Sequence, residues 1–226
     1  MYPVLAMEYA VHGSLSALQE STTLRTQVKQ KLCYDVARGL SILHACGIVH
    51  GDMKHENVLI FDNPYDKPKD QPYLAKLADF GGAAMDTSLN ASQSLILGTF
   101  PYDAPEASSV LSAEGLKQTD VYSFGFLVWR TLLDGIDMRD ELGLTGYDIG
   151  QARIITKALK EEDKVIELAI HSATKYKLKY DIHMSSYEMI LYVLYRTIRA
   201  DPAERGLPEA QLALLGYPVG LSLIHI

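Results

Sequence analysis

The chain has 226 residues, 48% of them hydrophobic and 22% charged, with a formal net charge of -7. That composition excludes an intrinsically disordered chain, and the length is ample for one well-buried core. The acidic balance argues against nucleic acid or an anionic membrane surface as the main partner, because either favours a basic face.

Residues 2–9 form a short apolar run with a proline near its start and read as a strand or strand remnant. The N-terminal stretch lacks the positive start and long apolar core of a signal peptide. Residues 11–18 carry His12-Gly13-Ser14, a loop followed by a brief helical turn. Leu24, Val28, Leu32, Val36, Leu40 and Leu43 then recur at helical spacing, with Lys29, Lys31, Asp35 and Arg38 between them. Gly47 follows where a helix C-terminus would place it, so a long amphipathic helix is predicted. Cys33 and Cys46, the two cysteines, would lie about 20 Å apart along such a helix, too far to pair. Two unpaired thiols point to a reducing compartment, cytoplasmic or nuclear.

Residues 58–61 are strand-like, residues 62–72 are a proline- and charge-rich loop, and residues 73–78 read as a second strand of a long-looped hairpin. Residues 79–106 show little periodicity and are long for a loop, which marks a functional or mobile segment. Asp120 is placed to cap a helix running through Phe124, Leu127, Val128 and Leu132 to an Asp134-Gly135 stop. Helices are expected over residues 149–172, 185–199 and 208–215. The fold class is therefore mainly α with a small β-hairpin. No apolar run reaches the roughly 18 residues of a membrane span, the best candidate at 189–194 being cut short by Arg196. Residues 221–226 (LSLIHI) resemble a translated transposase adapter and are expected to be an artefact outside the fold.

The chemistry concentrates in His50-Gly51-Asp52-Met53-Lys54-His55-Glu56-Asn57 and Asp79-Phe80-Gly81. Phosphoryl transfer from a nucleotide needs a carboxylate to orient the attacking hydroxyl, hard oxygen ligands for Mg²⁺, and a cation for developing charge. Asp52 and Lys54 lie two apart, so in an extended loop both can point to one side. Asn57 and Asp79 can supply the oxygens, and Gly81 lets the backbone turn sharply beside a metal-bound carboxylate. Further along come Gly98-Thr99-Phe100-Pro101-Tyr102-Asp103-Ala104-Pro105-Glu106, Asp120-Val121-Tyr122-Ser123-Phe124-Gly125 and Asp201-Pro202-Ala203-Glu204-Arg205.

In order and spacing, these motifs resemble the eukaryotic protein kinase family over residues 5–215. The resemblance implies ATP and Mg²⁺ as cofactors and proteins as substrates, and leaves oligomeric state open. By its pattern, Met7, Glu8, Tyr9 and Ala10 look like the gatekeeper and adenine-binding hinge, and Leu59 the residue beneath adenine. Asp52 matches the catalytic base, Lys54 the phosphate-contacting lysine, and Asn57 and Asp79 the two metal ligands. Thr99 falls in the substrate-docking stretch. His50 and Phe80 match a structural stack, Glu106 and Arg205 a buried ion pair, and Asp120 the acid that anchors the catalytic loop. Lys54, Gly98-Thr99 and Ala104-Pro105-Glu106 look like the serine/threonine branch. Residues 1–10 would be the hinge and last strand of an N-terminal lobe, 11–216 the C-terminal lobe, and 217–226 a tail.

Three departures from the family pattern stand out. The glycine-rich loop and the lysine with its glutamate partner do not precede the hinge, so the 226-residue chain alone is expected to have negligible activity and, with an unpaired strand edge, poor solubility. Gly51 replaces the arginine that usually meets an activation-loop phosphate, which implies constitutive activity of the complete protein or control by partners, despite Thr87, Ser88, Ser92 and Ser94. The loop at 62–72 is longer than usual. A small-molecule phosphotransferase, which can share His-Gly-Asp, and a pseudokinase-like binding module remain alternative readings.

Overall fold

The computed structural model describes residues 7–65, 71–85, 98–180 and 182–206. Of the strand expected over 2–9 only residues 7–9 are described, and they are not strand; the four hydroxyls between 87 and 94, the helix over 208–215 and the tail lie outside the described residues.

Helix α1 (Leu15–Ser21) is capped by the Ser14 hydroxyl, which accepts from the Ala17 N–H. Helix α2 (Thr26–Ala45) follows the predicted periodicity, burying Val28, Leu32, Val36 and Leu40 on one face. Lys29, expected on the polar face, is fully buried instead. Its Nζ ion-pairs with Asp134 at 2.7 Å and donates to the Leu132 carbonyl and the Tyr176 hydroxyl. Both cysteines are free, Cys33 buried and Cys46 exposed at the C-cap of α2. Burial pushes the Cys33 thiol up to about 12, which leaves it inert as a nucleophile.

Two small antiparallel sheets frame the loop between them. Strand β1 (Ile48–Val49) pairs with β4 (Ala84–Met85). Strand β2 (Val58–Asp62) pairs with β3 (Tyr73–Leu77) in a register running from Val58 opposite Leu77 to Asp62 opposite Tyr73, the predicted hairpin. The chain before α1 lies along β2, with His12 N–H donating to the Ile60 carbonyl and Ile60 N–H to that of Gly13.

Helix α3 (Ala113–Leu132) is the central strut. Phe124, Phe126, Leu127 and Trp129 all have no exposed surface, so the helix is apolar on nearly every face and is enclosed by its neighbours. It does not start at Asp120: the Ser112 hydroxyl caps it by accepting from Gly115 N–H, and Asp120 sits buried well inside. A short α4 (Met138–Glu141) follows.

The helix expected over 149–172 is two helices, α5 (Ile149–Glu161) and α6 (Lys164–Tyr180). Asp163 breaks them with a left-handed backbone, φ +55°. Its carboxylate accepts from the Ala200 N–H and pairs with Arg199 at 2.8 Å, so distant contacts hold the kink. Helix α7 (Met184–Thr197) then packs on α3 and α6. At the α3–α7 crossing, a Cβ on Gly125 would come within 2.6 Å of the Ile198 side chain. Gly125→Ala is therefore expected to destabilise by about 1–3 kcal/mol through overpacking, read as a lower midpoint in urea unfolding. An unchanged midpoint would show that α7 yields at no cost.

Candidate active site

The segment between β1 and β2 is fixed by one buried carboxylate. Asp120 Oδ2 accepts from the His50 N–H at 2.8 Å and Oδ1 from the Gly51 N–H at 2.9 Å, while His44 Nε2 meets Oδ2 at 2.9 Å. Gly51 adopts φ +78°, the left-handed region that favours glycine, and its carbonyl accepts from Gly98 N–H at 2.7 Å. His50, fully buried, reads as the neutral tautomer carrying its proton on Nε2. That nitrogen donates to the Ala78 carbonyl at 3.0 Å, and Nδ1 accepts from Asp52 N–H at 3.3 Å. Its ring stacks on Phe80 with centroids 5.3 Å apart, the expected structural pair.

Asp52 is the hub. Its Oδ2 accepts from Lys54 Nζ at 2.6 Å and from Asn57 Nδ2 at 3.1 Å, and its Oδ1 accepts from the Thr99 hydroxyl at 2.7 Å. Lys54 also reaches Thr99 Oγ1 at 3.1 Å. Partial burial pushes the Asp52 carboxyl up, but the hydrogen bonds from Lys54, Thr99 and Asn57 and the Lys54 charge outweigh it. The net effect is a carboxyl held below the usual range, hence an anion at neutral pH.

Asn57 ends a 3₁₀ turn at His55–Asn57, and its carbonyl accepts from Ala78 N–H at 2.9 Å. That bond ties Ala78, the residue before Asp79, to Asn57. Asp79 has φ +61°, and its carboxylate accepts from Gly81 N–H at 3.3 Å. The Asn57 NH₂ donates to Asp52, which leaves the amide oxygen as the atom it could offer to a cation. Asn57 and Asp79 could supply hard oxygens of the kind that suit Mg²⁺. Among the described residues, no group of three or more His, Cys, Asp and Glu could hold a metal by itself.

Of the residues expected around adenine, Met7, Glu8 and Tyr9 are exposed and Ala10 and Leu59 half-buried. Glu8 pairs with Lys76 of β3, and a bridge between Ser14 and Leu59 ties the segment to β2. At the far end, Arg205 donates through Nη2 to Glu106 at 2.9 Å and through Nη1 to the other Glu106 oxygen, with the arginine side chain fully buried.

A protein kinase domain model matches residues 1–206. The chain belongs to the protein kinase family. Among curated relatives, PTI1-like tyrosine-protein kinase 1 of Arabidopsis thaliana is 33% identical over 179 residues, 72% of this chain and 45% of the relative. Serine/threonine-protein kinase SBK1 of Danio rerio is 35% identical over 135 residues, 58% of this chain and 32% of the relative. Serine/threonine/tyrosine-protein kinase HT1 of Arabidopsis thaliana is 30% identical over 126 residues, 54% and 29% respectively. The chain therefore spans less than half the length of these relatives, whose names carry different specificities.

This kinase domain also assembles residues that the motifs did not single out. His55, fully buried, lies between the Tyr102 hydroxyl at 3.1 Å and the Thr131 hydroxyl at 3.0 Å. Thr131 donates to the Leu127 carbonyl, so it accepts from His55 Nε2–H, and Nδ1 is left to accept from Tyr102. Burial and the Arg130 charge push the His55 imidazole well below its ordinary value, keeping it neutral as this chain of bonds requires. Buried Lys160 of α5 pairs with Asp103 at 3.2 Å, a second tie on the segment 98–106 beside Arg205–Glu106. His55 sat inside the motif as a visible outlier; Arg130 and Lys160 gave no local signal.

Proposed function

We propose that this chain carries the phosphoryl-transfer centre of a protein kinase that acts on serine and threonine hydroxyls, with Asp52 as the base. The observation that carries the reading is the Asp52 cluster: an anionic carboxylate bonded at once to Lys54, Asn57 and Thr99. Asp52 would orient the acceptor hydroxyl and take its proton as the oxygen attacks the γ-phosphorus of ATP and the bond to ADP breaks. Lys54, beside the base, would stabilise the charge that develops on the transferred group. Asn57 and Asp79 would hold Mg²⁺, which when bound neutralises the phosphates. Ala10 and the neighbouring hinge backbone would take the adenine, with Leu59 beneath it. Thr99, bridging Lys54 and Asp52, favours an aliphatic alcohol as acceptor, because it models a hydroxyl already seated against the base.

The test is transfer of labelled γ-phosphoryl from Mg·ATP to paired serine, threonine and tyrosine peptides by the longest gene product that contains this chain. Serine or threonine labelling is expected. Asp52→Asn should lower the rate by at least about 100-fold with unfolding stability retained. Labelling confined to tyrosine would overturn the acceptor assignment, and full activity in Asp52→Asn would overturn the base.

A further inference from the structure

Beside the Asp52 cluster opens a cleft of about 470 Å³ whose lining includes Lys54, Glu56, Thr99, Tyr102, Arg130 and Asp137. If a hydroxyl is delivered to Asp52, as proposed above, the residues flanking it enter this cleft, so its lining reads them.

Charge there is unevenly committed. Lys54 is spent on Asp52, and the Asp137 carboxylate caps its own helix by accepting from the Arg139 N–H at 2.8 Å. Arg130 is fixed from three sides. Its Nη1 donates to the Tyr102 hydroxyl at 2.8 Å, Nη2 to Ser16 Oγ at 3.2 Å and Nε to the Gly135 carbonyl at 3.4 Å. Tyr102 is in turn held by His55. The anion opposite is looser: Glu56 meets Arg130 at 3.1 Å with its side chain 49% exposed, against 16% for Arg130. One end of the pair is anchored and the other can swing into water.

We infer that Arg130 is a specificity residue that makes this kinase select acceptor peptides with an acidic side chain beside the phosphorylated hydroxyl. A substrate carboxylate takes the place of Glu56 on a guanidinium that is already oriented, and Glu56 regains its hydration at the surface. A basic side chain meets a Glu56 that is already neutralised and an arginine that repels it. The selection deepens the proposed function but is read by binding, so the two can fail separately.

The experiment is fluorescence-anisotropy titration of the 226-residue chain with labelled serine peptides, alanine elsewhere, carrying Glu, Ala or Arg at each of three positions on either side of the serine. At one position Glu should bind about tenfold more tightly than Arg, the size expected of a partly exposed charge pair. Glu56→Gln, which removes the internal competitor at an exposed site, should widen that ratio, and Arg130→Glu should invert it. Arg130→Lys, which keeps the charge but loses the fork, should narrow it. A preference for Arg, indifference to charge, no binding of any peptide, or a ratio that Glu56→Gln leaves unchanged would each overturn the inference. Charge selection without Asp52-dependent transfer would sink the proposed function and leave this inference standing.

Discussion

Asp120→Ala is expected to lower unfolding stability by about 3–5 kcal/mol, the cost of breaking a buried charged network on one side. The carboxylate is 1% exposed and serves three donors: the N–H groups of His50 and Gly51 and the ring of His44. Alanine would leave two buried backbone donors and a buried imidazole without an acceptor, and no water-sized rearrangement of a close-packed interior restores them. The functional loss should exceed the stability loss, because Asp52 follows directly on the two N–H groups that Asp120 pins. Urea unfolding of the variant measures the first effect, and transfer or peptide affinity the second. Asp120→Asn separates charge from shape: it keeps one acceptor oxygen but turns an NH₂ toward a donor, so an intermediate loss is expected. A drop below about 1 kcal/mol for the alanine variant would mean that the loop is held by other contacts.

The second large effect is expected at Arg205→Ala, again about 3–5 kcal/mol. Arg205 bonds both oxygens of Glu106, donates to the carbonyls of Gln118, Arg199 and Ala200, and lies over the Tyr122 ring at 4.8 Å. Its removal leaves those carbonyls and a mostly buried Glu106 unsatisfied, and frees the end of the segment that begins at Thr99. A double-mutant cycle with Glu106→Gln is the check, since the second change relieves the uncompensated charge. The double variant should be less damaged than the sum of the two single ones. Additive losses would place the value of Arg205 in its backbone contacts rather than in the ion pair.

Much of the local structure was legible because it follows from chain periodicity. The apolar repeat from Leu24 to Leu43 could only be satisfied by one long helix, and two β-prone runs around a polar loop could only close as a hairpin. The motif residues were legible as types at fixed spacings; the separation of Asp52 and Lys54 allowed both to point to one side, while their 2.6 Å ion pair came only from the structure. The helix break at Asp163 was not, because the left-handed turn is held by Arg199 and Ala200, far along the chain. Lys29 was assigned to water by its charge, yet Asp134 from the turn after α3 and Tyr176 of α6 enclose it. Asp120 could have capped a helix or anchored a loop; Ser112, better placed, took the cap and left Asp120 for the interior.

By itself the sequence determined the helices, the hairpin and the chemical types gathered at Asp52, since these depend on neighbours within a few residues. Only the tertiary structure decided which charges were already spent. Lys54 is committed to Asp52, Lys160 to Asp103 and Arg205 to Glu106, while Arg130 faces a half-exposed glutamate. The reason is physical: Glu56 and Arg130 are 74 residues apart, and an ion pair depends on distance and burial in space, neither of which sequence separation encodes.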